Sequence, residues 1–321
     1  MSHYESRSRN KGRDRILAWA KKTTRDVDRA VRRLSRLYDF VLDDDDDNVR
    51  RVRRAVRAKK KKAFKPKSKT YKYGIQVPRS IAEALEIDAA NGNNFWQEAI
   101  DKEINALLEM NCFEFLGVGD NSGQDYQKTR LHMIFDVKND LRRKARLVAG
   151  GHLVDLFDTE IYSSTVKGIS VKLLHVISHS MGLKALCGDV GNAFVTAFTT
   201  EKVYCIAGLE FGKEHVGKTI VLKKALYGLA SSSACFHAHF ADVLRSFGFR
   251  TTRFDQDVWY RLSKDKSYYE YICTHVDDFC IFSKKPQLIM DQIKSIFTVK
   301  SEGPPSYYLG NDFVQSKRSK L

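Results

Sequence analysis

No stretch of about 18 consecutive apolar residues occurs in the 321-residue chain, which leaves no candidate for a membrane-spanning helix. The opening residues, MSHYESRSRNKGRDR, lack the apolar core of a secretory signal. Six cysteines are scattered at positions 112, 187, 205, 235, 273 and 280, with no CxxC pair among them. That spacing argues against a zinc site or a disulfide framework and for reduced packing thiols in an intracellular protein. Internal repeats are absent, and so is a regular strand–helix–strand period, which excludes a solenoid and a doubly wound sheet. What is present, 43% hydrophobic and 11% aromatic residues, is enough for a substantial globular core.

Charge is unevenly placed. Residues 1–70 hold 24 Lys and Arg against 10 Asp and Glu, so they carry most of the net +16, and the remaining 251 residues are close to neutral. The basic character belongs to a leader or linker (1–70) and not to the expected globular region (71–321). Val27, Val31, Leu34, Tyr38 and Val41 recur at helical spacing within it, ahead of an acidic run and then VRRVRRAVRAKKKK. We expect a partly helical or disordered arm that attracts polyanions, an acidic membrane surface or an import receptor.

The globular region reads as interleaved helices and hairpins, an α+β pattern. Ser80 and Glu83 form a capping-box pattern, and Asn94 precedes an amphipathic helix on Trp96, Ile100, Ile104 and Leu107. CFEFLGV is a strand. LHMIFDVK and RRKARLVAG are the arms of a hairpin whose second arm is cationic. A helix follows Ser170, and LKALCGDV is a strand running into Asp189. KVYCIAG, KTIVLKKALYGL, DVWYRL, YYEYICTHV, FCIFS and SYYLGNDFV are further strands. Helices are expected over 231–247, ended by Gly248, and over 286–297.

Two carboxylates, Asp277 and Asp278, stand side by side between the apolar arms THV and FCIFS. Like charges that close are costly when desolvated. A lone Asp-Asp pair is most often an exposed turn. The alternative is a divalent cation, since Mg²⁺ takes one or two carboxylates plus substrate phosphates. Asp189, ending another apolar strand, would complete a set suited to two ions about 4 Å apart.

With these residues in hand, the chain resembles the reverse transcriptase of Ty1/copia-type retrotransposon Pol polyproteins. KYGIQVPRSIAEAL, NNFWQEAIDKEI, HMIFDVKNDLRRKARLVAGGH, GDVGNAF, KKALYGL, DQDVWYR, HVDDF and YYLG occur in the family's order, from about Tyr71 to Val314. The resemblance implies an RNA-directed DNA polymerase with right-hand fingers and a ferredoxin-like palm sheet backed by helices. It implies catalytic Asp189, Asp277 and Asp278, two Mg²⁺ or Mn²⁺ ions held by these and the Val190 carbonyl, and Lys144 and Arg146 on the incoming triphosphate. Phe194 matches the steric gate under the deoxyribose. YYLG, with Tyr308, Leu309 and Gly310, matches the primer grip. RNA template, a DNA or RNA primer and dNTPs are the implied partners, with no membrane. The implied location is intracellular, in a cytoplasmic virus-like particle or the nucleus.

The chain departs from the family in three ways. His275 stands where Tyr is usual, and ASSSACF follows ALYGL without the family's cations. The chain stops shortly after YYLG, so the expectation is a truncated region whose thumb and ribonuclease H segments are missing or are supplied by a dimer partner. Terminal Ser319, Lys320 and Leu321 match a peroxisomal address, read here as accidental. The alternative to an active polymerase is a degenerate, non-catalytic nucleic-acid-binding remnant.

Overall fold

A computed structural model of the chain describes residues 69–120, 123, 125–155, 160–305, 307–308 and 311–312. The expected leader helix, Leu309, Gly310 and the terminal Ser319, Lys320 and Leu321 lie outside the described residues.

The class is mixed α+β, as the interleaved patterns imply. In chain order the elements are β1 (Thr70–Lys72), β2 (Ile75–Val77), α1 (Ile81–Asn91), α2 (Phe95–Glu109), β3 (Phe113–Val118), β4 (Gln127–Lys128), β5 (Leu131–Val137) and β6 (Arg143–Ala149). Then come α3 (Gly168–Ser180), β7 (Lys184–Val190), β8 (Val203–Ile206), β9 (Lys218–Leu222), α4 (Ser232–Ser246), β10 (Arg250–Thr251) and β11 (Val258–Leu262). The last are β12 (Tyr269–His275), β13 (Asp278–Ser283), α5 (Pro286–Lys294), β14 (Val299–Gly303), β15 (Tyr307–Tyr308) and β16 (Asn311–Asp312).

A six-stranded sheet in the order β10-β11-β12-β13-β7-β14 carries the second half. Its central strands are apolar at successive positions because both faces are covered. Period-two alternation sends Phe279 and Ile281 to one face, among Phe236, Phe240 and Leu244 of α4 and Ile289, Met290 and Ile293 of α5. Cys280 and Phe282 go to the other, with Val171 and Leu174 of α3 and with Tyr308. The first half has its own core, where Trp96, Ile100, Ile104 and Leu107 of α2 meet Phe135, Val137 and Leu147 of the β5–β6 hairpin. Trp96 and Phe135 meet edge to face at 5.6 Å.

Several local expectations need correction. KTIVLKKALYGL is a strand only as far as Leu222; its second half turns at Gly228, which holds φ +93°. SYYLGNDFV is not one strand, since Tyr307–Tyr308 pairs antiparallel with Asn311–Asp312. Ser80 does cap α1, accepting from the Glu83 N–H, but Glu83 returns its bond to the Arg79 N–H. Asn94 makes no side-chain cap; Asp88, from the end of α1, accepts from the Trp96 and Gln97 N–H groups and caps α2.

Candidate active site

The turn of the β12–β13 hairpin is two residues, Val276 and Asp277, between the paired His275 and Asp278. Val276 holds φ +55° there. A β-branched residue in the left-handed region is strained, at a cost of roughly 1–3 kcal/mol, and such strain gathers at functional sites. On its other side β13 pairs with β7, and Asp278 stands directly opposite Asp189. The Val190 N–H donates to the Asp277 carbonyl at 2.8 Å, which continues the same register past the strand end. Since 190 and 277 form a hydrogen-bonded pair, the 189–278 pair is of the non-hydrogen-bonded kind, in which side chains approach closest. The three aspartates are thereby gathered at one end of the sheet.

Their titration reflects the crowding. Burial, then the charges of Asp277 and Asp278, push the Asp189 carboxyl up to about 6, while Lys300 and Lys144 oppose the rise. Asp278 is also raised, by burial and then by Asp277, with His275 opposing. Among the described residues no three acidic, His or Cys side chains form a ready-made metal cage. A site for Mg²⁺ does not need one, because this ion keeps several waters and binds through one or two carboxylates plus substrate phosphates. The donor set fits: three hard carboxylate oxygen donors at one sheet end, whose mutual repulsion a cation would offset.

The DVGNAF block follows from backbone demands. Asn192 lies in the left-handed region at φ +53°, which Asn tolerates better than most residues. Gly191 leaves room for the Lys300 side chain, whose Cε would lie 2.7 Å from an added Cβ. Lys300, on β14 opposite Asp189, is a cation that the sequence does not single out, because a lone Lys in FTVKSEG carries no motif. Phe194 lies on the one-turn helix Ala193–Thr196, its ring 4.8 Å from that of Tyr227.

Tyr227 is covered in turn by Arg146, whose guanidinium carbon lies 3.8 Å from the ring centre. Lys144 and Arg146 both lie on β6, where burial and then the Arg146 charge lower the Lys144 pKa. The edge of β6 facing away from β5 is tied down at three points. The Leu147 N–H donates to Glu103 Oε1 (3.0 Å), the Ala149 N–H to the Tyr227 carbonyl (2.7 Å) and the Gly151 N–H to the Gly228 carbonyl (3.2 Å). This contact explains two glycines. A Cβ on Gly151 would lie 2.2 Å from the Gly228 oxygen, and one on Gly228 would lie 2.1 Å from the Ala149 oxygen. KARLVAGG and ALYGL are therefore two sides of one backbone junction. Glu103, raised by burial, is a further residue that sequence reading misses; its signal, one Glu inside an amphipathic helix, is too common to stand out.

The expected primer-grip residue Tyr308 sits apart from this group. It is buried on the α3 face of the sheet, and its hydroxyl accepts from the Cys273 thiol at 3.9 Å. A separate cavity of about 660 Å³ is lined by Tyr71, Glu83, Asp88, Trp96 and Arg143, with none of the three aspartates. Its Asp88 is already engaged in capping α2.

The fold thus brings the three aspartates together with Lys144, Lys300 and the Phe194–Tyr227 ring pair. Comparison with known proteins gives the family. Residues 123–320 match the family described as reverse transcriptase (RNA-dependent DNA polymerase), and the chain belongs to that family. It is similar to the retrovirus-related Pol polyprotein from transposon RE1 of Arabidopsis thaliana, with 27% identity over 75% of this chain and 16% of the relative. It is also similar to the truncated transposon Ty1-A Gag-Pol polyprotein of Saccharomyces cerevisiae, 29% identical over 73% of this chain and 19% of the relative. The retrovirus-related Pol polyprotein from transposon TNT 1-94 of Nicotiana tabacum is 26% identical over 76% and 18%. The chain thus spans less than a fifth of the length of these curated relatives. It corresponds to the reverse transcriptase region of copia-type Pol polyproteins. No helix among the described residues is long and apolar enough to cross a membrane.

Proposed function

We propose that the chain is the fingers and palm of an RNA-directed DNA polymerase, extending a primer 3′-OH with dNTPs on an RNA template. The observation that carries the reading is the register of β13 on β7, which sets Asp278 against Asp189 with Asp277 at the adjoining turn. In this reading the six-stranded sheet is the palm, and β3–β6, β8 and β9 with α1 and α2 are the fingers.

Asp189, Asp277, Asp278 and the Val190 carbonyl would hold two Mg²⁺ or Mn²⁺ ions. Such ions, when bound, activate the attacking oxygen and stabilise the leaving one in in-line displacement. The protein's own residues supply position and charge. Lys144 and Arg146 face the triphosphate from β6, where fixed cations offset charge developing on the phosphoryl oxygens. Arg146 rests on Tyr227 until a nucleotide takes that surface. Phe194, braced by Tyr227, forms the floor beneath the sugar and would clash with a 2′-OH. Lys300 holds a positive charge beside Asp189 and tempers the repulsion among the aspartates. Tyr308, Leu309 and Gly310 would steady the primer.

The test is primer extension on a homopolymer RNA template with Mg²⁺ or Mn²⁺. Asp277→Ala is expected to lower incorporation by about 10²-fold or more, with an unchanged circular dichroism spectrum. Undiminished incorporation would reject the assignment. A second reading, a nucleic-acid-binding remnant without turnover, is favoured by the start of α4, where Ser231 and Ser232 are buried and no cation is offered. Salt-sensitive RNA binding with no incorporation by the unaltered chain would select it.

A further inference from the structure

Three of the six cysteines lie in one row across the six-stranded sheet. Cys273 on β12 is opposite Cys280 on β13, and Cys280 is opposite Cys187 on β7. All three point to the face covered by α3. Burial, then the neighbouring Cys187 and Cys273 thiols, push the Cys280 thiol well above its ordinary value. Of the other cysteines, Cys205 on β8 faces Ile220, and Cys112 and Cys235 lie outside the strands.

The two contacts around Cys280 are not equivalent. The pair 187–280 belongs to the same non-hydrogen-bonded set as 189–278, where opposed Cα atoms are about 4.5 Å apart. That spacing lies within the range a disulfide spans, about 4.4–6.8 Å. The pair 273–280 lies two residues from the hairpin's closing pair, 275–278, in the hydrogen-bonded set, with Cα atoms about 5.5 Å apart and side chains less close. Cys273 is also engaged with the Tyr308 hydroxyl. Cys273 and Cys280 are buried, whereas Cys187 is only half-buried.

We propose that Cys187 and Cys280 are a modification site, a dithiol that hydrogen peroxide closes into a cross-strand disulfide directly behind Asp189 and Asp278. Cys187 sulfur attacks a peroxide oxygen; the O–O bond breaks, one water leaves and Cys187 becomes a sulfenic acid. Cys280 sulfur then attacks the Cys187 sulfur. The S–S bond forms, the S–O bond breaks, and the hydroxyl leaves with the Cys280 proton as a second water. One peroxide is reduced by two electrons and two thiols are oxidised. In a reducing cell the pair rests as thiols, so the disulfide is a transient response to oxidant. The closed bond ties β7 to β13 two residues from each aspartate, where a shift of the pairing moves the acidic set.

The pre-reduced full-length chain, treated with hydrogen peroxide, decides the matter by sulfur chemistry alone, whatever its polymerase activity. Free thiols counted after denaturation are expected to fall from six to four, and digestion without reduction should yield a Cys187–Cys280 linked peptide that dithiothreitol releases. Cys280→Ser should stop the reaction at a Cys187 sulfenic acid, trapped by dimedone. Six surviving thiols, a Cys273–Cys280 link or a link between two chains would overturn the proposal. The map of the unaltered chain is decisive even where the variant fails to fold.

Discussion

Asp189 is the residue on which charge and burial act most directly. Its carboxyl is pushed up to about 6, above its ordinary 3.8. The folded chain therefore holds that proton more tightly than the unfolded chain does. The stability this contributes is full below about pH 4 and is lost as pH rises through about 6. Without added metal, the melting temperature is expected to decline across that window, and Asp189→Asn should flatten the decline. At pH 7.5 Mn²⁺ should raise the melting temperature of the unaltered chain more than it does at pH 5, because protonation at the lower pH competes with the ion. An equal metal effect at both values would mean that these carboxylates are not its ligands. Differential scanning fluorimetry across pH makes the measurement.

At the scale of elements, the β6 strand depends on what bolts its outer edge. Glu103 from α2 satisfies the Leu147 N–H, and the turn around Gly228 satisfies Ala149 and Gly151. Removing the Glu103 acceptor leaves a buried N–H unpaired, which costs about 1–3 kcal/mol. Glu103→Ala should lower the urea midpoint accordingly, and Glu103→Gln, whose amide oxygen also accepts, should recover most of it. If β6 presents the triphosphate-binding cations, Glu103→Ala should also raise the KM for dNTP more than it lowers kcat. Gly228→Ala meets a carbonyl oxygen and places Ala at φ +93°, so roughly 2 kcal/mol or more is expected from strain alone. A Gly228→Ala midpoint equal to that of the unaltered chain would disprove the close junction.

Over the whole molecule, charge is segregated: residues 1–70 are strongly basic and the rest nearly neutral. If the leader contributes to RNA binding, it does so through phosphate contacts and counterion release. Replacing Lys59, Lys60, Lys61 and Lys62 by Gln in the full chain should reduce the slope of log affinity against log salt by about 3 for single-stranded RNA. Fluorescence anisotropy over a salt series reads that slope, and an unchanged slope would show that this run makes no phosphate contact.

What the sequence determined by itself was local. The 131–150 hairpin, the strand ending in Asp189, the hairpin around Asp277 and Asp278, the α4 stripe and the Ser80 cap were legible. Alternation, helical spacing and turn residues act within a few positions. The family motifs also named the aspartates without placing them. Tertiary structure decided which strands are neighbours: β13 beside β7, far apart in the chain, and Lys300 opposite Asp189. It also decided that Asp88 caps the next helix, that Gly151 meets Gly228 and that Cys187 faces Cys280. No local pattern specifies these pairings. Register between distant strands is settled by burying both faces of the sheet at once, because a one-residue slip would turn Phe279 and Ile281 away from α4 and α5.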